Sequence, residues 1–324
     1  MRNNNIRSYI RLFFLGLISI ILLWSCQNIS HNSSSQIVKP LPTSSLLSTR
    51  IVKHAEGETK IPMNPQRIIT LHDSTILDPV LALGVKPIGV ATYNAEQGIF
   101  FRGIDYQQLT GIQQVGSAFQ PSLEKILMLK PDLILGREYH KDIYNLLVNI
   151  APTVLVDWES FTSFQDNFRY IAQVLNQEKE AELVLNQYQN RIQEFQRQMG
   201  KQLQSIEVSV IGISGQNIKS FNEDTVFNQV LDDAGLKRPS IQKNQKERYL
   251  ELSMEHLNKY DTDVLFVINE SHAPLSSYLQ HPLWSNLKAT QNKRVYEVSQ
   301  SDWFAGGPLG VNKILEDLFK YLVK

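Results

Sequence analysis

"PSLEKILMLKPDLIL", residues 121–135, and "LSMEHLNKYDTDVLFV", residues 252–267, follow one plan twice. After its first residue, each has a serine, one further residue and a glutamate, continues through a helical stretch, and ends on an aspartate and an apolar run. Ser122 and Ser253 suit the N-cap position, where a hydroxyl accepts a free N–H of the first turn. Glu124 and Glu255 then fall where the helix dipole favours negative charge. A helix leading through a tight turn into a short strand, once in each half of the chain, predicts two α/β lobes. The two carboxylates admit two readings: local helix stabilisation, or a pair of exposed docking points, one per lobe.

Working outward from these segments, short apolar runs alternate with helical ones. Strands are expected at 67–71, 87–90, 132–135 and 153–156, with helices at 74–83, 122–130 and 139–149 between them. A second series has strands at 207–213, 264–268 and 294–297 and helices near 225–234, 253–259 and 307–323. Short strands separated by helices imply mainly parallel sheets with helices on their faces. Between the lobes, Phe164 to Met199 contains no proline or glycine. Its apolar positions Leu185, Tyr188, Ile192, Phe195 and Met199 step by three and four, the helical period. One helix of that length would span ~50 Å. It reads as a strut across both lobes, with a coiled-coil arm as the alternative, and a strut predicts a nearly preformed cleft.

The first 50 residues are of another kind. Arg2, Arg7 and Arg11 precede an apolar run from Leu12 to Trp24, the layout of a secretory signal peptide. A spanning helix needs roughly 20 apolar residues, and an uncleaved anchor is the alternative. The only cysteine, Cys26, closes this run. Leu23-Trp24-Ser25-Cys26 resembles a bacterial lipobox, although Trp24 is larger than the residue usual there. A diacylglycerol on Cys26 would hold the chain at a membrane, at ~0.8 kcal/mol per buried CH₂. The Ser-, Asn- and Pro-rich stretch after it reads as a flexible tether. The expected organisation is a signal peptide (1–25), a lipid-anchored tether (26–49), a first lobe (50–163), a connecting helix (164–200) and a second lobe (201–324).

Charge narrows the partners. The chain has 32 basic and 32 acidic residues, and loss of the leader removes three of the basic ones. A weakly acidic mature chain has no electrostatic reason to seek nucleic acid. Catalysis finds little support either: there is no Gly-x-Ser-x-Gly, phosphate-binding loop, His-Glu-x-x-His or dinucleotide glycine fingerprint.

Taken together, the lipobox, the two lobes, the connecting helix and the two Ser-x-Glu helix starts resemble the substrate-binding proteins of ABC importers for ferric siderophores, haem and cobalamin, from roughly Arg50 to Lys324. "PQRIITLHDSTILDPVLALGVKPIGVAT" (65–92), "HPLWSNLKATQNKRVYEV" (281–298) and "WFAGGPLGVNKILEDL" (303–318) resemble that family's opening and closing segments. The resemblance implies a class III, ferric-citrate-binding-like fold whose two lobes are joined by one long backbone helix. It also implies that Glu124 and Glu255 dock an ABC permease dimer, and that the chain is a lipoprotein of the cell envelope, acting as a monomer.

In such a fold the ligand meets loops that follow strands. The candidates are Tyr93, Arg102, Arg137, Trp158 and Trp303, with His72, Tyr139, His140, Asn217, Lys219, His272 and Phe304 nearby. A ferric siderophore brings its own iron ligands. Cations for its charge and rings for its apolar surface are therefore expected, with no cofactor and no metal bound directly by the protein. Trp284 is expected in the core. The alternatives are haem, cobalamin or a bare metal held by His72, His140 and His272, and, less favoured, an exported hydrolase.

Overall fold

The structure is a computed structural model and describes residues 48–93, 101–243, 245–271 and 273–323. Cys26, the expected leader, nearly all of the expected tether, and His272 lie outside the described residues.

Strands that are apolar without alternation are buried on both faces, and the chain uses them to build two sheets. In the first lobe, β3 (Ile68–Thr70), β4 (Gly89–Thr92), β6 (Leu133–Arg137) and β7 (Thr153–Val156) are buried throughout, and β5 (Gln113–Ser117) forms one edge. All pair in parallel in the order β5-β4-β3-β6-β7. The order reverses between β3 and β6, and the loops after these strands open on one edge, where ligands sit in such sheets. A hairpin, β1 (Thr49–His54) with β2 (Gly57–Pro62), precedes them.

The second sheet has the order β10-β9-β8-β11-β12, from β8 (Val208–Ser214), β9 (Asn217–Phe221), β10 (Tyr249–Ser253), β11 (Val264–Asn269) and β12 (Val295–Val298). Here β8–β11 and β11–β12 are parallel, whereas β8–β9 and β9–β10 are antiparallel. The sequence reading has no β9 or β10, and it places Asn217 and Lys219 in a loop. Gly215, at φ +60°, turns the chain in two residues and makes them part of a hairpin strand.

Helices flank both sheets. The expected 74–83 helix is a π-turn (Asp73–Leu77) running into α1 (Asp78–Ala82). Ser122 caps α2 (Leu123–Met128) by accepting the Lys125 N–H at 3.3 Å. Ser253 starts a tighter 3₁₀ turn, Met254–Tyr260, by accepting the Glu255 N–H at 3.4 Å. The expected 139–149 helix is likewise split into a 3₁₀ turn (Glu138–Ile143) and a short α-helix (Tyr144–Val148).

The connection between the lobes is helical but not one helix. It consists of α3 (Phe164–Leu175) and α4 (Glu178–Met199), packed on each other. Asn176 adopts the left-handed conformation, φ 57°, and ends α3. Asparagine tolerates this region better than other residues with a side chain. The long helix therefore has 22 residues, ~33 Å at 1.5 Å each. Its stripe, Leu185, Tyr188, Ile192, Phe195 and Met199, is buried in the chain's own core, which removes the apolar seam that a coiled-coil arm requires. That core is continuous from Ile68 and Leu133 through Phe168 and Phe195 to Val208 and Phe266.

A second seam joins the lobes at α6 (Pro308–Leu322), which follows α5 (Val226–Asp233) in the second lobe's helical layer. Asp78 of α1 is fully buried, and each of its oxygens accepts one N–H of the α6 amino terminus: Leu309 at 2.9 Å and Gly310 at 2.9 Å. This approach requires glycine. A Cβ on Gly307 would stand 2.4 Å from Asp78 Oδ1, and one on Gly310 would stand 1.9 Å from the Ala305 Cβ. Burial pushes the Asp78 carboxyl up, against the pull of the two N–H groups and Lys313, to about 7.

Candidate ligand-binding site

Between the lobes lies a cavity of about 640 Å³. The first sheet contributes residues at or just beyond the ends of its strands: His72 after β3, Tyr93 after β4, Arg137 at the end of β6 with Tyr139, and Trp158 after β7. Arg102 enters from the loop between β4 and β5. Of the expected binding residues, Tyr93, Arg102, Arg137, Trp158 and Trp303 all border this one cavity, together with Lys219 and Phe304.

Arg102 is fixed from every side. It donates to Asp73 from Nε (2.9 Å), Nη2 (2.6 Å) and its backbone N–H (3.1 Å), and its guanidinium lies over the Tyr93 ring at 4.4 Å. Asp73 is completely buried. Burial alone would raise its carboxyl, but the charge and hydrogen bonds of Arg102 outweigh that and hold it below the usual range. Arg137 donates from Nε and Nη2 to the two oxygens of Glu138, both at 2.8 Å. Its guanidinium centre is 5.5 Å from the Tyr139 ring and 5.7 Å from the Trp158 ring. Such cation–aromatic contact helps to orient a guanidinium. The Tyr139 hydroxyl is buried and has no hydrogen-bond partner among the described residues. Burial raises the pKa of this hydroxyl, so it stays a neutral O–H on a residue that lines the cavity.

The histidines serve the fold here. His72 Nδ1 accepts the Thr75 N–H at 3.0 Å, and its Nε2 is 3.1 Å from Arg102 Nη2. Burial and then the Arg102 charge press its ionisation well down, so it is neutral. His140 does not reach the cavity: its Nδ1 accepts the Arg137 N–H at 2.9 Å and its Nε2 donates to Ala118 O at 2.6 Å. The expected convergence of His72 and His140 on a metal is thereby contradicted, because hydrogen bonds to the chain occupy their ring nitrogens. Among the described residues no group of three or more His, Cys, Asp or Glu side chains is placed to hold a metal ion.

Other expectations are also corrected. Asn217 is exposed on β9 and donates to Glu251 rather than entering the cleft. Trp303 backs the cavity wall but is fully buried, and its indole N–H is committed to Asp317 at 2.9 Å. Trp284 is in the core, as expected, with its N–H directed at Met254 Sδ.

Several wall residues are absent from the sequence reading: Phe221, Arg248, Tyr249 and Glu270, with Phe227 behind them. Lys219 is paired with Glu270 across β8. The signal for this wall was Gly215-Gln216 between two apolar runs, a two-residue hairpin. Outside the cleft, Glu124 and Glu255 are exposed, and among the described residues neither is ion-paired.

Two α/β lobes sharing one core, with a cavity between them walled by oriented cations and aromatic rings, define a two-lobed substrate-binding protein. The chain belongs to the periplasmic binding protein family, whose model matches residues 69–301. It is 30% identical to the probable siderophore-binding lipoprotein YfiY of Bacillus subtilis, over 98% of this chain and 99% of that one. It is 31% identical to the Fe(3+)-citrate-binding protein YfmC of the same organism, over 89% and 90% of the two chains. Among solved structures, SirA of Staphylococcus aureus complexed with staphyloferrin B superimposes with a TM-score of 0.71 at 28% identity, covering 85% of this chain and 98% of that one. Among the described residues no helix is long and apolar enough to cross a membrane.

Proposed function

We propose that the chain binds a ferric siderophore in the cleft between its lobes and delivers it to an ABC permease for iron uptake. The observation that carries this reading is the wall of the cavity. Two guanidinium groups are held against Tyr93, Tyr139 and Trp158, beside an unpartnered Tyr139 hydroxyl, while the nearby imidazoles are engaged by the protein itself. Such a wall suits a bulky anionic chelate that supplies its own iron ligands, and it suits bare metal or axially ligated haem poorly. The relatives point the same way: YfiY and YfmC are named for binding siderophore and ferric citrate, and a third, 31% identical, is the achromobactin-binding periplasmic protein of Dickeya dadantii. The protein acts as a carrier rather than an enzyme, and the ferric chelate is its cargo, not a cofactor.

On this reading Cys26 carries the lipid that keeps the exported chain at the membrane, and the monomer meets its permease through Glu124 and Glu255, the exposed acids of the two lobes. Equilibrium dialysis against ferric siderophores should retain one chelate per chain, and retention of none would overturn the reading. Charge reversal at Glu124 and Glu255 should abolish uptake and leave affinity unchanged. A parallel fall in affinity would make these residues structural.

A further inference from the structure

Among the described residues four cations line the cleft, and a carboxylate stands beside each: Arg102 with Asp73, Arg137 with Glu138, Lys219 with Glu270, and Arg248 with Glu159. An anionic chelate therefore meets walls that are already neutralised, and it gains full charge pairing only where a carboxylate gives way. Three are held firmly. Asp73 is fully buried under Arg102, Glu138 grips Arg137 with both oxygens and also accepts the Trp158 N–H at 3.3 Å, and the Glu270 side chain is only 17% exposed against Lys219.

Glu159 differs on each count. Its side chain is 69% exposed, and it stands 3.5 Å from Arg248 Nη1 and 4.0 Å from Arg137 Nη2. It follows β7 in the first lobe, whereas Arg248 precedes β10 in the second. This loose carboxylate thus bridges two cavity-lining arginines from opposite lobes.

We propose that Glu159 is a displaceable internal counter-ion, occupying the place between Arg137 and Arg248 that a carboxylate of the chelate takes on binding, and so setting the preference of the cleft for ligand charge. The inference rests on the ferric-chelate reading. A neutral chelate has no group to exchange for Glu159, so its binding does not depend on that side chain. An anionic one competes with Glu159 and, once bound, ties the lobes together through the same two arginines.

The test compares the wild-type chain with Glu159→Gln, Arg248→Gln and the double variant, using ferric dicitrate as the anionic probe and a ferric trihydroxamate of zero net charge as the neutral one. Melting curves first establish that each variant is folded. Glu159→Gln should bind the anionic probe about two- to five-fold tighter, the range for an exposed ion pair, with the gain shrinking as salt rises. The neutral probe should be unaffected, and in the Arg248→Gln background most of the gain should vanish. Unchanged or weaker binding of the anionic probe by Glu159→Gln, or an equal gain for the neutral probe, overturns the proposal while wild-type binding preserves the functional reading. If the wild-type chain retains neither chelate, both fall.

Discussion

Replacing Asp78 by asparagine should change how stability depends on pH. In the native seam this carboxyl is wholly enclosed, with Leu309 and Gly310 donating to its two oxygens, the Lys313 charge favouring its ionised form and the Asp73 charge opposing it. Burial dominates and lifts its ionisation from 3.8 to about 7. The folded chain therefore holds this proton more tightly than the unfolded chain does. Below about pH 4 both states are protonated, and above about pH 7 both are ionised. Between these limits native stability falls as pH rises. A shift of about 3 pH units corresponds to at most about 4 kcal/mol at 1.36 kcal/mol per unit. Asparagine has no proton to lose, but its NH2 cannot accept the N–H that one carboxyl oxygen takes; the stability difference between Asp78→Asn and the wild type should therefore start from that offset, move in the variant's favour progressively from pH 4 to 7 and level off above that. Urea unfolding of both chains from pH 4 to 8 measures the difference directly, and because other titrating groups are common to both, they cancel. Parallel profiles, or an advantage that shrinks as pH rises, would refute the reasoning.

Further substitutions probe the walls of the cleft and the seam beside it. Arg102→Gln leaves Asp73 buried without its cation and should destabilise the fold by about 3–5 kcal/mol. Adding Asp73→Asn should recover much of that loss in a denaturant titration. Gly310→Ala forces a Cβ into Ala305 and should lower stability by about 1–3 kcal/mol as an overpacked seam, visible as a fall in Tm. Tyr139→Phe removes a hydroxyl that bonds to nothing in the described protein, so the fold should be at least as stable. Affinity for the ferric chelate should fall by a factor reflecting one hydrogen bond, about 0.5–1.5 kcal/mol, and equal affinity in a calorimetric titration would exclude the hydroxyl as a ligand contact.

The first lobe is largely legible in the sequence because its strands are buried on both faces and read as plain apolar runs. The loop that follows each such strand then marks the cleft, which is how His72, Tyr93, Arg137 and Trp158 come to be named together. The second lobe yields less. Tyr249–Ser253 alternates between exposed and half-buried positions at a sheet edge, so its sequence resembles a polar loop and conceals Arg248 and Tyr249. The break between α3 and α4 carries no proline or glycine, and only Asn176 marks it. The Arg102–Asp73 pair joins a loop residue to the start of the π-turn, and no local pattern announces it. Trp303 shows the opposite failure: a tryptophan after a strand suggests a ligand contact, but Asp317 already accepts its N–H.

The most direct test of ligand capture uses the cleft's own reporter. Trp158 borders the cavity at 8% exposure, whereas Trp284 and Trp303 are fully enclosed. Titration of the folded chain with a ferric siderophore should quench tryptophan fluorescence saturably at one equivalent. Trp158→Phe should lose most of that quenching while calorimetry still records binding. An unchanged signal across ferric siderophores would contradict capture of the chelate between the lobes, and full quenching retained without Trp158 would move the reporter to Trp303, the other tryptophan on the cavity wall.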